Sequence, residues 1–203
     1  NFTNHGTITA TDKSAFYCKT CSDVTFNNTG TMTSGNNAVV ISAGDNISIT
    51  NSGTITATTA NSGLSINSSD GTVVTNTGTI SGVGMGMQSS NVDNSTITNH
   101  GTISASSNTG YGILYENDGT NRVNNTLNNY GTISATSGSL ADGIGIGKGA
   151  SPMFNITINN YGTISGSDDS IKMLNSSNTG INIVTKGEGT YVGEINLNDT
   201  STT

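Results

Sequence analysis

The chain has 203 residues, of which 31% are hydrophobic and 9% charged, with a formal net charge of -7. So little apolar material excludes a conventional deep-cored globule, and so little charge excludes disorder of the usual highly charged kind. Six basic residues against thirteen acidic ones repel a phosphate backbone, which excludes nucleic acid as the expected partner.

In chain order, the first predicted element is a strand, turn and strand in "NFTNHGTITA", with Phe2 and Ile8 apolar on either side of Asn4 and Gly6. A further short strand follows with the pair Phe16/Cys18. The phrase Asn-x-Gly-Thr-Ile/Met then recurs, starting at Asn4, Asn28, Asn51, Asn76, Asn99, Asn129 and Asn160, in steps of 24, 23, 25, 23, 30 and 31 residues. Two residues before each Asn stands Phe2, Phe26, Ile49, Val74, Ile97, Leu127 or Ile158; four after it stands Ile8, Met32, Ile55, Ile80, Ile103, Ile133 or Ile164. The second pair repeats as Val39/Ile41, Leu64/Ile66, Met85/Met87, Ile113/Tyr115, Ile144/Ile146 and Ile171/Met173. A weakened eighth copy, "GEGTY", begins at Gly187.

No helical period appears in the unit. Three short strands per coil of 23 to 31 residues make an all-β fold, a single-stranded parallel β-helix of about eight rungs stacked roughly 4.8 Å apart. Residues 1–203 form one such domain. At the turn, Asn and the following Gly are expected to supply positive φ, and stacked Asn side chains an amide ladder. Loop length varies between the motif Ile and the second apolar strand, the edge where repeat proteins usually meet partners.

The sequence holds no apolar run of about 18 residues and no charged-then-apolar start, so neither a membrane helix nor a signal peptide is expected in it. Its first residue, Asn1, reads as that of a processed or excised piece of a longer chain. Asn-x-Ser/Thr sequons begin at Asn1, Asn27, Asn46, Asn67, Asn94, Asn124, Asn155, Asn175 and Asn198; a chain so rich in Asn and Thr produces many by chance.

Tandem "N-x-G-T-I" phrases from "NFTNHGTITA" to "NNYGTISG", in an acidic, Trp-free, Cys-poor chain, resemble the passenger regions of bacterial autotransporter adhesins, including the self-associating kind. The resemblance implies a right-handed coil, secretion to the cell surface and adhesion through the side of the rod. It implies no cofactor and no catalysis. The implied partners are other copies of the chain, or a protein or glycan on a host or neighbouring surface, without membrane insertion by this segment. The family's C-terminal barrel is not in the sequence. An end-to-end extracellular filament is the alternative, with ice binding and a polysaccharide-active enzyme behind it.

The residues expected to face outward beside the motif Ile are Thr54, Thr56, Thr79, Thr102, Thr132 and Thr163, with Ser in the second position of later rungs. Either they form a solvated hydroxyl ladder or a flat face that pairs with a second rod. Tyr130 and Tyr161 share the free motif position and are expected to stack, while Tyr111 and Tyr115 lie by the long loop 104–126, the expected place of a specific contact. Asp45, Asp70 and Asp93 recur six residues before a motif Asn, as calcium ligands or as turn residues. His5 and His100 fall four rungs apart, too far to share a metal. "CKTC" has redox-motif spacing without the strand-helix context of such a motif, so Cys18 and Cys21 are expected to form a disulfide that pins an early loop, with a reduced pair as the alternative. Asp168, Asp169 and Lys172 form a tight charged group, and Arg122 is the sole arginine, with no acidic pair in register to make an active site with it.

Overall fold

In the computed structural model the described residues are 1–59, 61–119 and 122–197, Arg122 by its backbone alone. Each motif copy begins a turn of a parallel β-solenoid, and about eight turns stack in register. The strands that lead into the motif Asn are β1 (Phe2–Asn4), β4 (Thr25–Asn28), β7 (Ser48–Asn51), β10 (Val73–Asn76), β13 (Thr96–Asn99), β17 (Thr126–Asn129), β21 (Thr157–Asn160) and β23 (Asn182–Thr185), and they form one sheet in that order. The strands that leave it are β2 (Thr7–Ala10), β5 (Thr31–Ser34), β8 (Thr54–Ala57), β11 (Thr79–Gly82), β14 (Thr102–Ala105) and β18 (Thr132–Ala135). The third strands are β3 (Phe16–Lys19), β6 (Val39–Ser42), β9 (Ser62–Asn67), β12 (Met85–Ser90), β15 (Tyr111–Glu116) and β19 (Asp142–Lys148). In the seventh turn β22 (Thr163–Met173) runs through both positions and joins the two stacks into one sheet, onto which β24 (Thr190–Asn196) pairs. The longer fifth and sixth turns add a small pair, β16 (Arg122–Val123) and β20 (Met153–Phe154).

The expected apolar columns are the core. Phe26, Ile49, Val74, Ile97, Leu127 and Ile158 face Met32, Ile55, Ile80, Ile103, Ile133 and Ile164 across a thin interior. Alternation explains this: a period of two sends every second side chain inward, and stacking hides it between the rungs above and below. One pair shifts from the expected register. Met87 and Ser89, rather than Met85 and Met87, align with Leu64 and Ile66. Met85 stands one pair earlier, beside Ser62 and Tyr111. The eighth copy also shifts, because Thr185 and not Gly187 aligns with Asn160, which leaves two extra residues before Thr190.

The corner works differently from its expectation. Neither the motif Asn nor the motif Gly takes a positive φ. Left-handed residues occupy two other corners instead, one with Thr20, Ala43, Ser68 and Asn91, the other with Asp23, Asn46, Gly71, Asn94, Asn124, Asn155 and Gly180. The motif glycine is required by crowding: a Cβ on Gly78 would lie 2.1 Å from the carbonyl oxygen of Gly53 in the rung before, and one on Gly53 would lie 2.0 Å from that of Gly30. Gly6, in the first rung, has nothing within 4 Å of such a Cβ.

The amide ladder is present. Asn4 Nδ2 donates to Asn28 Oδ1 at 2.8 Å, and the series continues through Asn51, Asn76, Asn99, Asn129 and Asn160 at 2.8 to 2.9 Å. These side chains are buried, and each Nδ2 from Asn4 to Asn129 also donates to its own Gly carbonyl and to the Thr carbonyl of the next rung. A column of buried amides is tolerated because every member is satisfied.

Candidate functional site

The strands β2, β5, β8, β11, β14, β18, β22 and β24 put two hydroxyl columns on one outer face. Thr7, Thr31, Thr54, Thr79, Thr102, Thr132, Thr163 and Thr190 pair rung to rung, and Thr9, Thr33, Thr56, Ser81, Ser104, Ser134 and Ser165 lie beside them. From Thr31 to Thr163 the first column is half-exposed throughout; Ser165 alone in the second is buried, against expectation, where β22 runs on without a loop. The expected hydroxyl ladder is nearly unmade. Among the described residues only Thr56 Oγ1 and Ser81 Oγ, 3.0 Å apart, bond along these columns. The other hydroxyls between Thr31 and Ser134 are left to water or to a partner.

A second polar face was not singled out in sequence. Thr50, Thr75 and Thr98 align on the sheet that leads into the Asn corner, followed by Asn128 and Asn159, whose amides bond at 2.9 Å. The signal was there: these residues lie between the apolar residue and the motif Asn, so alternation sends them outward.

The free motif position carries an exposed ring stack. Tyr130 and Tyr161 lie with centroids 4.5 Å apart and planes 13° apart. His100 extends the stack on the other side of Tyr130, at 4.6 Å and 8°. His100 holds the same motif position as Tyr130, one rung earlier, a pairing not expected from the sequence. His5 instead bonds Thr29 Oγ1 through Nδ1 at 2.7 Å. Because the rings cover one another's faces, the stack presents edges and hydroxyls outward.

The structure corrects Tyr115 as an exposed contact residue. It is 1% exposed, packed in the core between Ser89 and Ile146 in register, and burial raises its pKa above the ordinary phenol value. Tyr111 is half-buried, with the Lys148 ammonium 6.0 Å from its ring centroid. In the loop 104–126, residues 120 and 121 lie outside the described residues, as does the sequon at Asn198.

The charged group is larger than the sequence indicated. Stacking β22 on β19 adds Asp142 to Asp168, Asp169 and Lys172, and carboxylate oxygens of the three acids come within 4.8 Å of one another. Lys172 Nζ lies 2.8 Å from Asp168 Oδ2, 3.3 Å from Asp169 Oδ2 and 3.9 Å from Asp142 Oδ1. Burial works against the Lys172 charge, but the hydrogen bond to Asp168 and the charges of Asp142 and Asp168 outweigh it and raise its pKa. Asp142 is buried, accepts the Asp169 N–H at 3.1 Å, and is pushed up to about 6, chiefly by burial, against the pull of that hydrogen bond and of Lys172, with the charges of Asp169 and Asp168 raising it further. The ammonium occupies the space between the carboxylates, so the cluster is an ion-pair knot.

No protein-family model matches the chain, and neither a curated protein nor a solved structure matches it.

This knot has a pH signature. Between its ordinary 3.8 and about 6, folded Asp142 holds a proton that the unfolded chain releases. Stability contributed by that proton is present below this window and lost as pH rises through it, about 3 kcal/mol in all. Asp142→Asn should therefore shrink the fall in melting temperature between pH 4.5 and pH 7, measured by circular dichroism. An unchanged fall would show that other groups set it.

The remaining sequence candidates resolve into corner chemistry. Asp45 Oδ1 accepts the Asp70 N–H at 3.1 Å, Asp70 Oδ1 the Asp93 N–H at 3.0 Å, and Asp93 Oδ1 the Val123 N–H at 2.7 Å. These carboxylates join rung to rung, which favours the turn reading over calcium. The sequons at Asn46, Asn94, Asn124 and Asn155 share the left-handed corner with Asp23, Gly71 and Gly180. Residues suited to that backbone explain the column better than glycan acceptors do. Cys18 and Cys21 form a disulfide, with Cα atoms 6.0 Å apart.

Proposed function

We propose that this chain is a non-catalytic adhesive rod, displayed outside the cell, that associates with copies of itself through its hydroxyl faces. The observation that carries the reading is the run of aligned, half-exposed Thr and Ser side chains whose hydroxyls, apart from the Thr56–Ser81 pair, bond nothing else among the described residues. A flat, uncharged array of donors and acceptors suits side-by-side pairing, since a second copy presents the same spacing. The resemblance to autotransporter passengers supports the surface location.

The eighth rung replaces the Asn column with Thr185, inserts two residues and exposes Lys186 and Glu188, so the repeat is interrupted there. In the ion-pair knot Lys172 spans the carboxylates, which suits a structural role rather than acid-base chemistry.

Thr54→Lys with Thr79→Lys tests the pairing. The double variant should keep its β-rich circular dichroism and sediment as a smaller species than the parent chain at equal concentration. Identical sedimentation of the two proteins would refute pairing through this face.

A further inference from the structure

We infer that the side of the first two rungs holds a pocket for an acidic sugar, a pyranose bearing a carboxylate. A cavity of about 330 Å³ lies between two stacked loops and is lined by Lys13, Ser14, Tyr17 and Asn36. That is the lower end of the range for ligand sites, with room for one or two sugar rings. Lys13 and Ser14 come from the loop between β2 and β3, Asn36 from the loop between β5 and β6, and Tyr17 from β3 itself.

The walls are fixed by packing rather than by the lining residues. The loops approach so closely that a Cβ on Gly35 would lie 1.9 Å from the Thr11 carbonyl oxygen. The buried Ser34 hydroxyl donates to the Lys13 carbonyl at 2.6 Å and accepts the Asn36 N–H at 2.8 Å, tying one loop to the other. Asn36 Oδ1 accepts the Asn37 N–H at 2.8 Å, and its NH2 group bonds nothing among the described residues.

The lining defines the chemistry. Most of the surface it presents is apolar, and its residues carry an ammonium, an amide NH2 and two hydroxyls as polar groups, with no carboxylate among them, on a chain whose net charge is -7. Lys13 makes no ion pair among the described residues, and the neighbouring Asp12 carboxylate accepts the Thr11 hydroxyl at 3.3 Å. The Tyr17 ring is 58% exposed, an apolar surface with a polar tip. A carboxylate would pair with Lys13, the C–H face of a pyranose would lie on Tyr17, and ring hydroxyls would accept from Asn36 and exchange hydrogen bonds with Ser14. A neutral sugar lacks the charged anchor, and a small anion lacks the ring.

This site deepens the adhesive reading and rests on it only for the source of the sugar, a surface glycan. Binding is tested on the whole chain by NMR titration with methyl glucuronide, with methyl glucoside and acetate as comparisons. The expected result is saturable shifts at Tyr17 and Asn36, with affinity at least tenfold higher for the glucuronide than for either comparison. Lys13→Gln and Tyr17→Leu should each weaken it at least tenfold while the rest of the spectrum is unchanged. Absence of saturable glucuronide binding, equal binding of acetate, or full affinity in Lys13→Gln overturns the proposal. Sedimentation of the Thr54/Thr79 variant reports on rod pairing separately, so either idea can fail alone.

Discussion

Gly78→Ala is expected to abolish the native fold or lower its stability by at least about 4 kcal/mol, although it adds a single methyl group. The methyl carbon would meet the Gly53 carbonyl oxygen at 2.1 Å, and the Ser52 carbonyl carbon and oxygen at 2.7 and 2.8 Å. All of these are backbone atoms held in a hydrogen-bonded stack: Thr77 and Gly78 N–H both donate to Asn51 O, and Thr79 N–H donates to Gly53 O. Relief requires the rungs to part. Gly6→Ala is the control, because the same residue type at the same motif position meets nothing there. In the 203-residue chain it should change stability by no more than about 1 kcal/mol, the usual effect of Gly→Ala at an ordinary φ. Thermal unfolding followed by circular dichroism separates the two; equal loss in both variants would mean that the glycine serves the turn itself, as backbone freedom.

The second large effect belongs to the middle of the amide ladder. Asn76 accepts from Asn51 at 2.8 Å and donates to Asn99 at 2.8 Å, and also donates to the carbonyls of Gly78 and Thr102 at 3.2 Å. Asn76→Ala leaves the buried Asn99 Oδ1 without a donor and opens a hole, for an expected loss of about 3 to 5 kcal/mol. Asn76→Asp keeps the shape, but places an acceptor against an acceptor, so it should be at least as damaging at pH 7. Asn160→Ala breaks one ladder bond instead of two and should cost roughly half as much by the same reasoning. Chemical denaturation of the three variants gives the order. If Asn76→Asp proves harmless, the column is held by volume and not by its amides.

These two experiments also mark what could be read from the sequence. The columns from Phe26 to Ile158 and from Met32 to Ile164 were legible because alternation and repeat length together leave one way to stack them. The amide ladder followed from the same stacking. What failed was the reason for the glycine: φ is a property of one residue, whereas the crowding at Gly78 comes from the rung before it. Met85 was misassigned for a related cause, since two methionines separated by one glycine satisfy either register, and only Ser62 and Tyr111 alongside decide between them. Tyr115 was read both as core and as surface because an aromatic beside the long loop suggested a contact, but its place beside Ile146 made it interior. Asp142 was missed as a neighbour of Lys172, because nothing local relates residues joined only when β19 meets β22. The pocket at Lys13 and Asn36 lay hidden likewise, as two loops of unremarked composition brought together by stacking.

The parallel pairing of every rung has a mechanical corollary. Backbone and amide bonds between rungs run along the rod, so a pull applied at its two ends loads them one layer at a time rather than all together in shear. Each layer that lets go releases 23 to 31 residues of slack, roughly 80 to 110 Å of extended chain. The rod would thus lengthen stepwise under strain, dissipating the tug layer by layer while the layers not yet released stay folded.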